Sequence, residues 1–258
     1  MRFTVVAYGS EGDTRPIVAL SRGLLDAGHE LLMFCEQSAA ATVRNHGVPS
    51  AVLAGDIKAT LPIGDPASEL RKSAVIKAIR SMSHLIRSST LSWMDMVASH
   101  AETSDAILMS GLASPMAQAV AHALNKPAIR LWLQPTARTR EFPSPMLPPW
   151  TLPGWLNRMT YVVSPETMMR RSYGGAASAA YHKLFGARTP RKGPNAAPIL
   201  YGISPHLVQR PKDWPLGHTI CGHWSLASPA WQPPQIWPHF SRKAIHRSTW
   251  ASEPRRLS

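Results

Sequence analysis

Asp13 is the residue of this sequence that is best placed to do chemistry, because it lies in a turn of small residues directly after an apolar strand. The predicted strand covers residues 3–8 and runs into residues 9–16, Gly-Ser-Glu-Gly-Asp-Thr-Arg-Pro. Open α/β sheets bind their ligands at the carboxyl ends of the strands, where the next helix begins. A carboxylate there could accept a proton from a bound hydroxyl group. The alternative is that Asp13 only caps the helix.

The elements around this turn predict a β-α-β unit. Apolar residues at spacings of three and four, from Ile17 to Leu25, predict a helix that ends before Gly28, with Pro16 in its first turn. A second apolar run at residues 30–35 predicts the next strand. The unit indicates an α/β protein with a Rossmann-like parallel sheet and flanking helices.

The rest of the chain repeats this alternation and then becomes irregular. A long segment rich in proline, residues 134–153, is typical of a binding wall or lid. The further predictions are helices at 38–45, 67–97, 115–124 and 156–185, strands at 50–53, 105–109, 127–133, 199–201 and 218–221, and loops at 54–66 and 186–198.

Composition narrows the class of protein. The chain has 258 residues, of which 44% are hydrophobic, which is enough for a real core. It has no apolar run of about 18 residues, which predicts a cytoplasmic protein. Its two cysteines, Cys35 and Cys221, are too few for a metal cluster or a disulfide framework and are predicted to be buried.

The net charge of +13 raises the question of an acidic partner. The basic residues are spread along the chain, and no nucleic-acid-binding motif accompanies them. We therefore expect no nucleic acid partner. A solvated basic surface, or one in peripheral contact with a membrane, is the expectation instead.

The turn around Asp13 resembles the first loop of inverting glycosyltransferases with the GT-B fold, in the branch that contains bacterial antibiotic and sterol-type enzymes. The similarity continues through the helix at residues 19–24 and through Ala-Gly-His-Glu at 27–30. Later landmarks are similar too, and the resemblance spans residues 1 to about 234. These landmarks are Gln134-Pro135-Thr136, Phe142-Pro143, Asp213-Trp214-Pro215 and residues 219–224.

The resemblance implies a role for the turn. A hydroxyl acceptor must lose a proton as it attacks the sugar of a nucleotide-sugar donor, and Asp13 would be the catalytic base. Ser10, Gly12 and Thr14 would line the crevice near the phosphates of the donor. Family members often carry arginine where Glu11 stands, so a phosphate contact from that side chain is not expected. The donor, a UDP- or dTDP-sugar, is a co-substrate, and neither a cofactor nor a metal is implied.

The resemblance also implies an apolar acceptor, such as a sterol, a lipid or a polyketide. The acceptor would lie against a wall of the N-terminal domain that includes Leu112, Trp132, Gln134 and Phe142. Each of these residues could instead be an ordinary core residue. A non-enzymatic acceptor-binding module, or one half of a split enzyme with a separately encoded C-terminal half, is the alternative to an enzyme.

The resemblance further implies a domain division. Residues 1–225 correspond to the N-terminal, acceptor-binding domain, residues 226–234 to the start of a linker, and residues 235–258 to an unrelated basic tail without apolar periodicity. Because the family holds its donor mainly in a second domain, we expect a chain truncated in this way to be inactive alone.

A frameshift after Pro234 explains the tail. If the third base of each codon is joined to the first two of the next, Trp237-Pro238 must encode alanine and Trp250-Ala251 must encode glycine. The remaining codons permit residues typical of the linker and first strand of the family's C-terminal domain. DNA sequencing past the Pro234 codon is expected to show an intact second frame that continues into a histidine- and glycine-rich donor motif. A second frame closed by early stop codons would refute the frameshift.

Overall fold

The structure is a computed structural model, and it describes most of the chain. Four predicted segments fall wholly or largely outside the described part: the loop at 54–66, the connection at 186–198, the linker at 226–234 and the tail at 235–258. The side chains of residues 72–79 also lie outside it. The described residues are 1–55, 72–148, 151–163, 165–186 and 197–226.

A single sheet of seven parallel strands organises the described residues, in the order β3-β2-β1-β4-β5-β6-β7. Every neighbouring pair is parallel, from β2 with β3 to β6 with β7. The predicted Rossmann-like sheet is confirmed. The strands are β1 Arg2–Tyr8, β2 Glu30–Glu36, β3 Ser50–Leu53, β4 Ala106–Gly111, β5 Ala128–Trp132, β6 Ile199–Tyr201 and β7 His218–Ile220.

Helices connect the strands, and each predicted helical segment contains a helix in its described part. The long helix before β4 is unbroken and runs on to Ala101. The helix predicted over 156–185 is divided in two, because Pro165 lacks the N–H that a continuous helix would need there and so begins a second helix. The helices are α1 Glu11–Asp26, α2 Ala40–Asn45, α3 Lys72–Ala101, α4 Ser114–Ala123, α5 Gly154–Thr160 and α6 Pro165–Phe185, with 3-10 turns at Gln37–Ala39 and Tyr161–Val163.

The core lies on both faces of the sheet, because alternate residues of a strand point to opposite sides. On one face Val5 and Ala7 of β1 belong to a cluster with Ile17 of α1. On the other face Val6 and Tyr8 belong to a cluster with buried residues of α3, α4 and α6. A sheet covered on both faces explains why its strands read as continuous apolar runs.

Strands β1 and β4 mark the point where the order of the sheet reverses, and the helices that follow them lie on opposite faces. Tyr8 and Gly111, the last residues of β1 and β4, are paired in register. The Leu112 amide donates a hydrogen bond to the Tyr8 carbonyl at 2.7 Å. A crevice at such a reversal is the usual ligand site of open α/β sheets.

Gly111 is required at this crevice by its backbone. Its φ is +65°, and an added Cβ would lie 2.3 Å from the carbonyl oxygen of Tyr8. A side chain is disfavoured by both the left-handed conformation and the contact with main-chain atoms.

We expect Gly111→Ala to lower the free energy of unfolding by more than about 2 kcal/mol, because the backbone of β1 must move. Gly23→Ala in α1 is the matched control, since nothing lies within 4 Å of its added Cβ. The control should stabilise the protein by about 0.5–1 kcal/mol through helix propensity. Urea unfolding of both variants measures this difference, and equal stabilities would contradict it.

Candidate active site

The turn between β1 and α1 holds the carboxylate of Asp13 in one orientation. Ser10 is the N-cap of α1, and Asp13 is the third residue of the helix. The Ser10 amide and the Ser10 hydroxyl both donate to Oδ2 of Asp13, at 3.0 and 2.8 Å. No hydrogen bond from the described residues reaches Oδ1. Asp13 is exposed, so this second oxygen is open to a ligand while the first one fixes the side chain.

Gly9 makes room for this arrangement. A Cβ on Gly9 would lie 2.8 Å from Oδ2 and 3.0 Å from Cβ of Asp13. These distances are shorter than van der Waals contact, so any side chain at residue 9 would displace Asp13. The need for glycine directly after β1 therefore comes from the position of the carboxylate.

The other turn residues differ in their exposure. Ser10 and Gly12 are exposed at the edge of the sheet. Thr14 is only 1% exposed and lies on the same buried face of α1 as Ile17. Its hydroxyl oxygen is a buried polar atom without a hydrogen-bond partner among the described residues.

Pro16 was predicted in the first turn of the helix, and that prediction is wrong. The helix begins at Glu11, so Pro16 is its sixth residue. Proline has no N–H to donate to the carbonyl four residues earlier. The carbonyl of Gly12 therefore lacks its usual helical partner, and Gly12 is exposed in the crevice.

Leu112 lies next to this turn, whereas the other three residues predicted to bind an acceptor lie at the end of β5 or after it. Leu112 is half-buried and its amide contacts the end of β1. Trp132 ends β5 and is 9% exposed, within the core on the face of α3. Gln134 is exposed, and Phe142 is half-buried.

Phe142 lines a cavity of about 300 Å³ beyond the carboxyl ends of β5 and β6. Leu207 is 82% exposed at this cavity, and the sequence analysis missed it. Its place shortly after a late strand is the signal that could have indicated it. The lining residues are Pro135, Glu141, Phe142, Leu207, Val208 and Gln209.

A larger cavity, of about 600 Å³, lies at the opposite end of the sheet. Pro127 and Pro198, which precede β5 and β6, are among its lining residues. Because ligands of parallel sheets bind at the carboxyl edge, the smaller cavity is the better candidate for an acceptor.

Asp213 fixes the irregular segment after β5. Its carboxylate accepts hydrogen bonds from the Thr139 hydroxyl at 2.6 Å and the Arg140 amide at 2.9 Å. Partial burial acts to raise the pKa of Asp213, but these two hydrogen bonds and the charge of Arg158 outweigh it, so the pKa lies below its ordinary value. Trp214 adds an indole N–H to the Ala137 carbonyl at 3.3 Å. The Asp-Trp-Pro landmark is thus a structural clamp on the segment.

Glu36 is a further titratable group at the same edge, which the sequence analysis did not single out. It ends β2, beside β1, and is fully buried. An acidic residue directly after an apolar run is the signal that could have indicated it.

The prediction that both cysteines are buried is confirmed for Cys35 and wrong for Cys221. Cys35 is buried, and burial raises the pKa of its thiol to about 11. Cys221 was predicted to be buried and is exposed, because it follows the edge strand β7. In the described residues no group of three or more His, Cys, Asp or Glu side chains could hold a metal ion.

Comparison with known proteins relates nearly the whole chain to one kind of enzyme. It is 32% identical over 247 residues, 91% of its length, to the sterol 3-beta-glucosyltransferase of Aspergillus oryzae. It is also 32% identical over 255 residues, 93% of its length, to that of Emericella nidulans. The chain spans only 17% of the length of these two relatives. No family model matches it.

Solved structures share the fold at low sequence identity. The glycosyltransferase of kitacinnamycin superposes with a TM-score of 0.53 at 18% identity, over 91% of this chain and 55% of that one. SnogD from Streptomyces nogalater gives 0.51 at 15% identity, over 91% of this chain and 56% of that one. At such identities the likeness concerns the fold alone.

The solved structures show that the chain shares its fold with part of these glycosyltransferases, as the resemblance to GT-B enzymes implied. In sequence, the chain is homologous to a segment of the sterol 3-beta-glucosyltransferases. None of the helices in the described part of the chain is long and apolar enough to span a bilayer.

The clamp at Asp213 predicts a pH-dependent contribution to stability. A lowered pKa in the folded state means that this contribution is present above the ordinary aspartate pKa of about 3.9 and is lost as the pH falls through the lowered value. Asp213→Asn should lower the free energy of unfolding by about 1 kcal/mol at neutral pH, because it weakens the accepted hydrogen bonds. The difference from the unchanged protein should shrink towards about pH 3.

Asp95→Asn is the control, because Asp95 is also exposed and its carboxylate accepts no hydrogen bond from the described residues. Denaturant unfolding at both pH values provides the comparison. A destabilisation by Asp213→Asn that does not change with pH would contradict the clamp.

Proposed function

We propose that this chain is the acceptor-binding domain of a glycosyltransferase that moves a hexose from a UDP- or dTDP-sugar to a hydroxyl group of an apolar acceptor, with inversion. The observation that carries the proposal is the exposed carboxylate of Asp13, held by Ser10 at the sheet's reversal point. Its sequence similarity to sterol 3-beta-glucosyltransferases supports a sterol or another lipid as acceptor.

Asp13 is the proposed general base. Because Ser10 occupies Oδ2 of Asp13, Oδ1 is left to accept the proton of the acceptor hydroxyl as its oxygen attacks the anomeric carbon. The same two bonds stabilise the start of α1, so the capping and catalytic roles of Asp13 are compatible.

The donor crevice is proposed to involve Ser10 and Gly12, which are exposed beside Asp13. Thr14 is better placed to shape the crevice from below, since its side chain is buried. No cofactor is part of the proposal, because the nucleotide sugar is the co-substrate.

The acceptor is proposed to extend from Leu112 towards the cavity at Phe142. Leu112 lies one residue beyond the end of β4 and therefore close to the turn. Trp132 would support this wall from the core, and Gln134 would present a polar group on it. An apolar cavity wall with a few polar groups suits a sterol with one hydroxyl.

A direct test measures binding and transfer separately. Tryptophan fluorescence reports binding of a sterol to the chain as it stands. Transfer is measured with UDP-glucose and dTDP-glucose, first with the chain alone and then with the remaining part of a sterol 3-beta-glucosyltransferase supplied as a separate polypeptide. The proposal is supported if the chain binds sterol and if transfer occurs, either with the chain alone or with the added polypeptide. Absence of sterol binding overturns it.

A non-enzymatic acceptor-binding module, or one half of a split enzyme, is the second candidate. It is favoured by the cavity at Phe142, which could hold an acceptor whether or not sugar transfer follows. Sterol binding without transfer in any mixture would favour the module. Transfer that requires the added polypeptide would favour the split enzyme.

We expect Asp13→Asn to lower the transfer rate by about 10²–10⁴-fold, because an amide cannot accept the proton. Asparagine keeps an oxygen for the two Ser10 donors, so the free energy of unfolding should change by less than the ~1 kcal/mol of a lost helix cap. Rate assays and thermal melting check the two expectations. A rate that stays within a factor of a few of the original would assign Asp13 to capping alone.

Gly9→Ala tests the position of the carboxylate with the acid retained. The added methyl group would overlap Oδ2 of Asp13, so transfer should fall while sterol binding at the cavity persists. Gly175→Ala in α6 is the matched control, because its added Cβ meets nothing within 4 Å. Equal transfer by both variants would contradict the proposed geometry.

A further inference from the structure

Four large apolar side chains are exposed on one short stretch of the chain. Trp155 is 65% exposed and Met159 is 62% exposed, with Val162 and Met146 at about half. Trp155 and Met159 are one turn apart in α5, and Val162 follows in the next 3-10 turn, so the three project from one side. We call these four residues the apolar patch.

The opposite side of α5 is held firmly by the segment that follows β5. The buried Asn157 donates to the Arg140 carbonyl at 3.0 Å, and Tyr161 donates to the Phe142 carbonyl at 3.4 Å. The Ser144 amide donates to the Thr160 hydroxyl at 2.8 Å. The exposure of the patch therefore belongs to an anchored helix, which presents its apolar side outward.

Positive charge surrounds the patch. Arg158 lies within α5 between Trp155 and Met159, and Arg138 and Arg140 are exposed on the segment that anchors it. Asp213 and Glu141 lie close by and accept hydrogen bonds from backbone N–H groups, which do not cancel the charge of a carboxylate. The three arginines still outnumber these two carboxylates, in a chain of net charge +13.

We propose that the apolar patch is a membrane-docking surface, which inserts into the headgroup region of an anionic lipid bilayer. Tryptophan and methionine beside arginine suit this interface, because the apolar groups enter the lipid while the guanidinium groups meet phosphates. A purely aqueous environment would leave a contiguous apolar surface in water, which is uncommon in monomeric proteins. The occupant is a lipid surface and not a protein groove, since basic side chains lie at the rim and within the helix itself.

This inference extends the proposed function, because an apolar acceptor resides in a membrane. Helix α5 is hydrogen-bonded to residues 140–144, which include Phe142 of the cavity. Docking would therefore bring the acceptor cavity to the bilayer. Vesicle binding needs neither donor nor acceptor, and it can therefore fail or succeed independently of sugar transfer.

The experiment measures co-sedimentation of the chain with vesicles of mixed phosphatidylglycerol and phosphatidylcholine, and with vesicles of phosphatidylcholine alone. The test variant carries Trp155→Ser, Met159→Ser and Val162→Ser. The matched control carries Met96→Ser and Leu216→Ser, which remove other exposed apolar side chains, at 40% and 97% exposure. Circular dichroism melting checks that all three proteins are folded.

Binding to the anionic vesicles is expected to fall about tenfold or more in the test variant and to remain unchanged in the control. It should also weaken at high salt and on phosphatidylcholine alone, because the arginines act on lipid phosphates and net charge. Absence of vesicle binding by the unchanged chain overturns the proposal, as does equal binding by the test variant.

Sedimentation velocity without lipid measures self-association, and so tests whether a second copy of the chain occupies the patch. Self-association that the test variant abolishes would assign the patch to a protein interface and overturn the proposal. Sterol binding in detergent solution is measured in parallel. If the unchanged chain binds sterol but not vesicles, only the docking surface is refuted. If the unchanged chain does not bind sterol, the proposed function is refuted.

Discussion

The close approach of β1 and β4 is the constraint on which the candidate site depends. Their last residues are paired, and Gly111 leaves the space through which the Tyr8 carbonyl meets the Leu112 amide. The segments that follow β1 and β4 then separate, because α1 and α4 lie on opposite faces of the sheet. A crevice opens where these two paired strands end, so the carboxylate of Asp13 is exposed to ligands beside a fixed backbone.

A second, polar set of contacts organises the irregular part of the chain. Residues 133–148 form neither helix nor strand in the structure, and a segment of that length needs partners for its backbone groups. Asp213, from beyond β6, accepts from the Arg140 amide and also from the Thr139 hydroxyl, and Asn157 of α5 donates to the Arg140 carbonyl. The cavity at Phe142 therefore has walls fixed by hydrogen bonds, which explains how a proline-rich segment can form a binding wall.

The sequence predicted the elements whose signals are local. Continuous apolar runs identified the strands to within two residues, and Gly28 marked the end of α1. The predictions failed where the outcome depended on the exact start of a helix or on tertiary position. Pro16 lies inside a helix that Ser10 starts early, and Cys221 is exposed because its strand is at an edge. The turn at Asp13 was predictable, whereas the contribution of Leu207 to the cavity depends on β6 lying next to β5, which periodicity does not reveal.

The cavity and the apolar patch share one structural connection. The Phe142 side chain lines the cavity, while its carbonyl accepts the hydrogen bond from Tyr161 at the end of α5. Burial raises the pKa of Tyr161, so this phenol remains a proton donor over the physiological range. The patch is thus joined to the acceptor wall by an uncharged hydrogen bond that titration does not break. Because this bond fixes Phe142 relative to α5, a change at the apolar patch that moves α5 would also move the wall of the cavity.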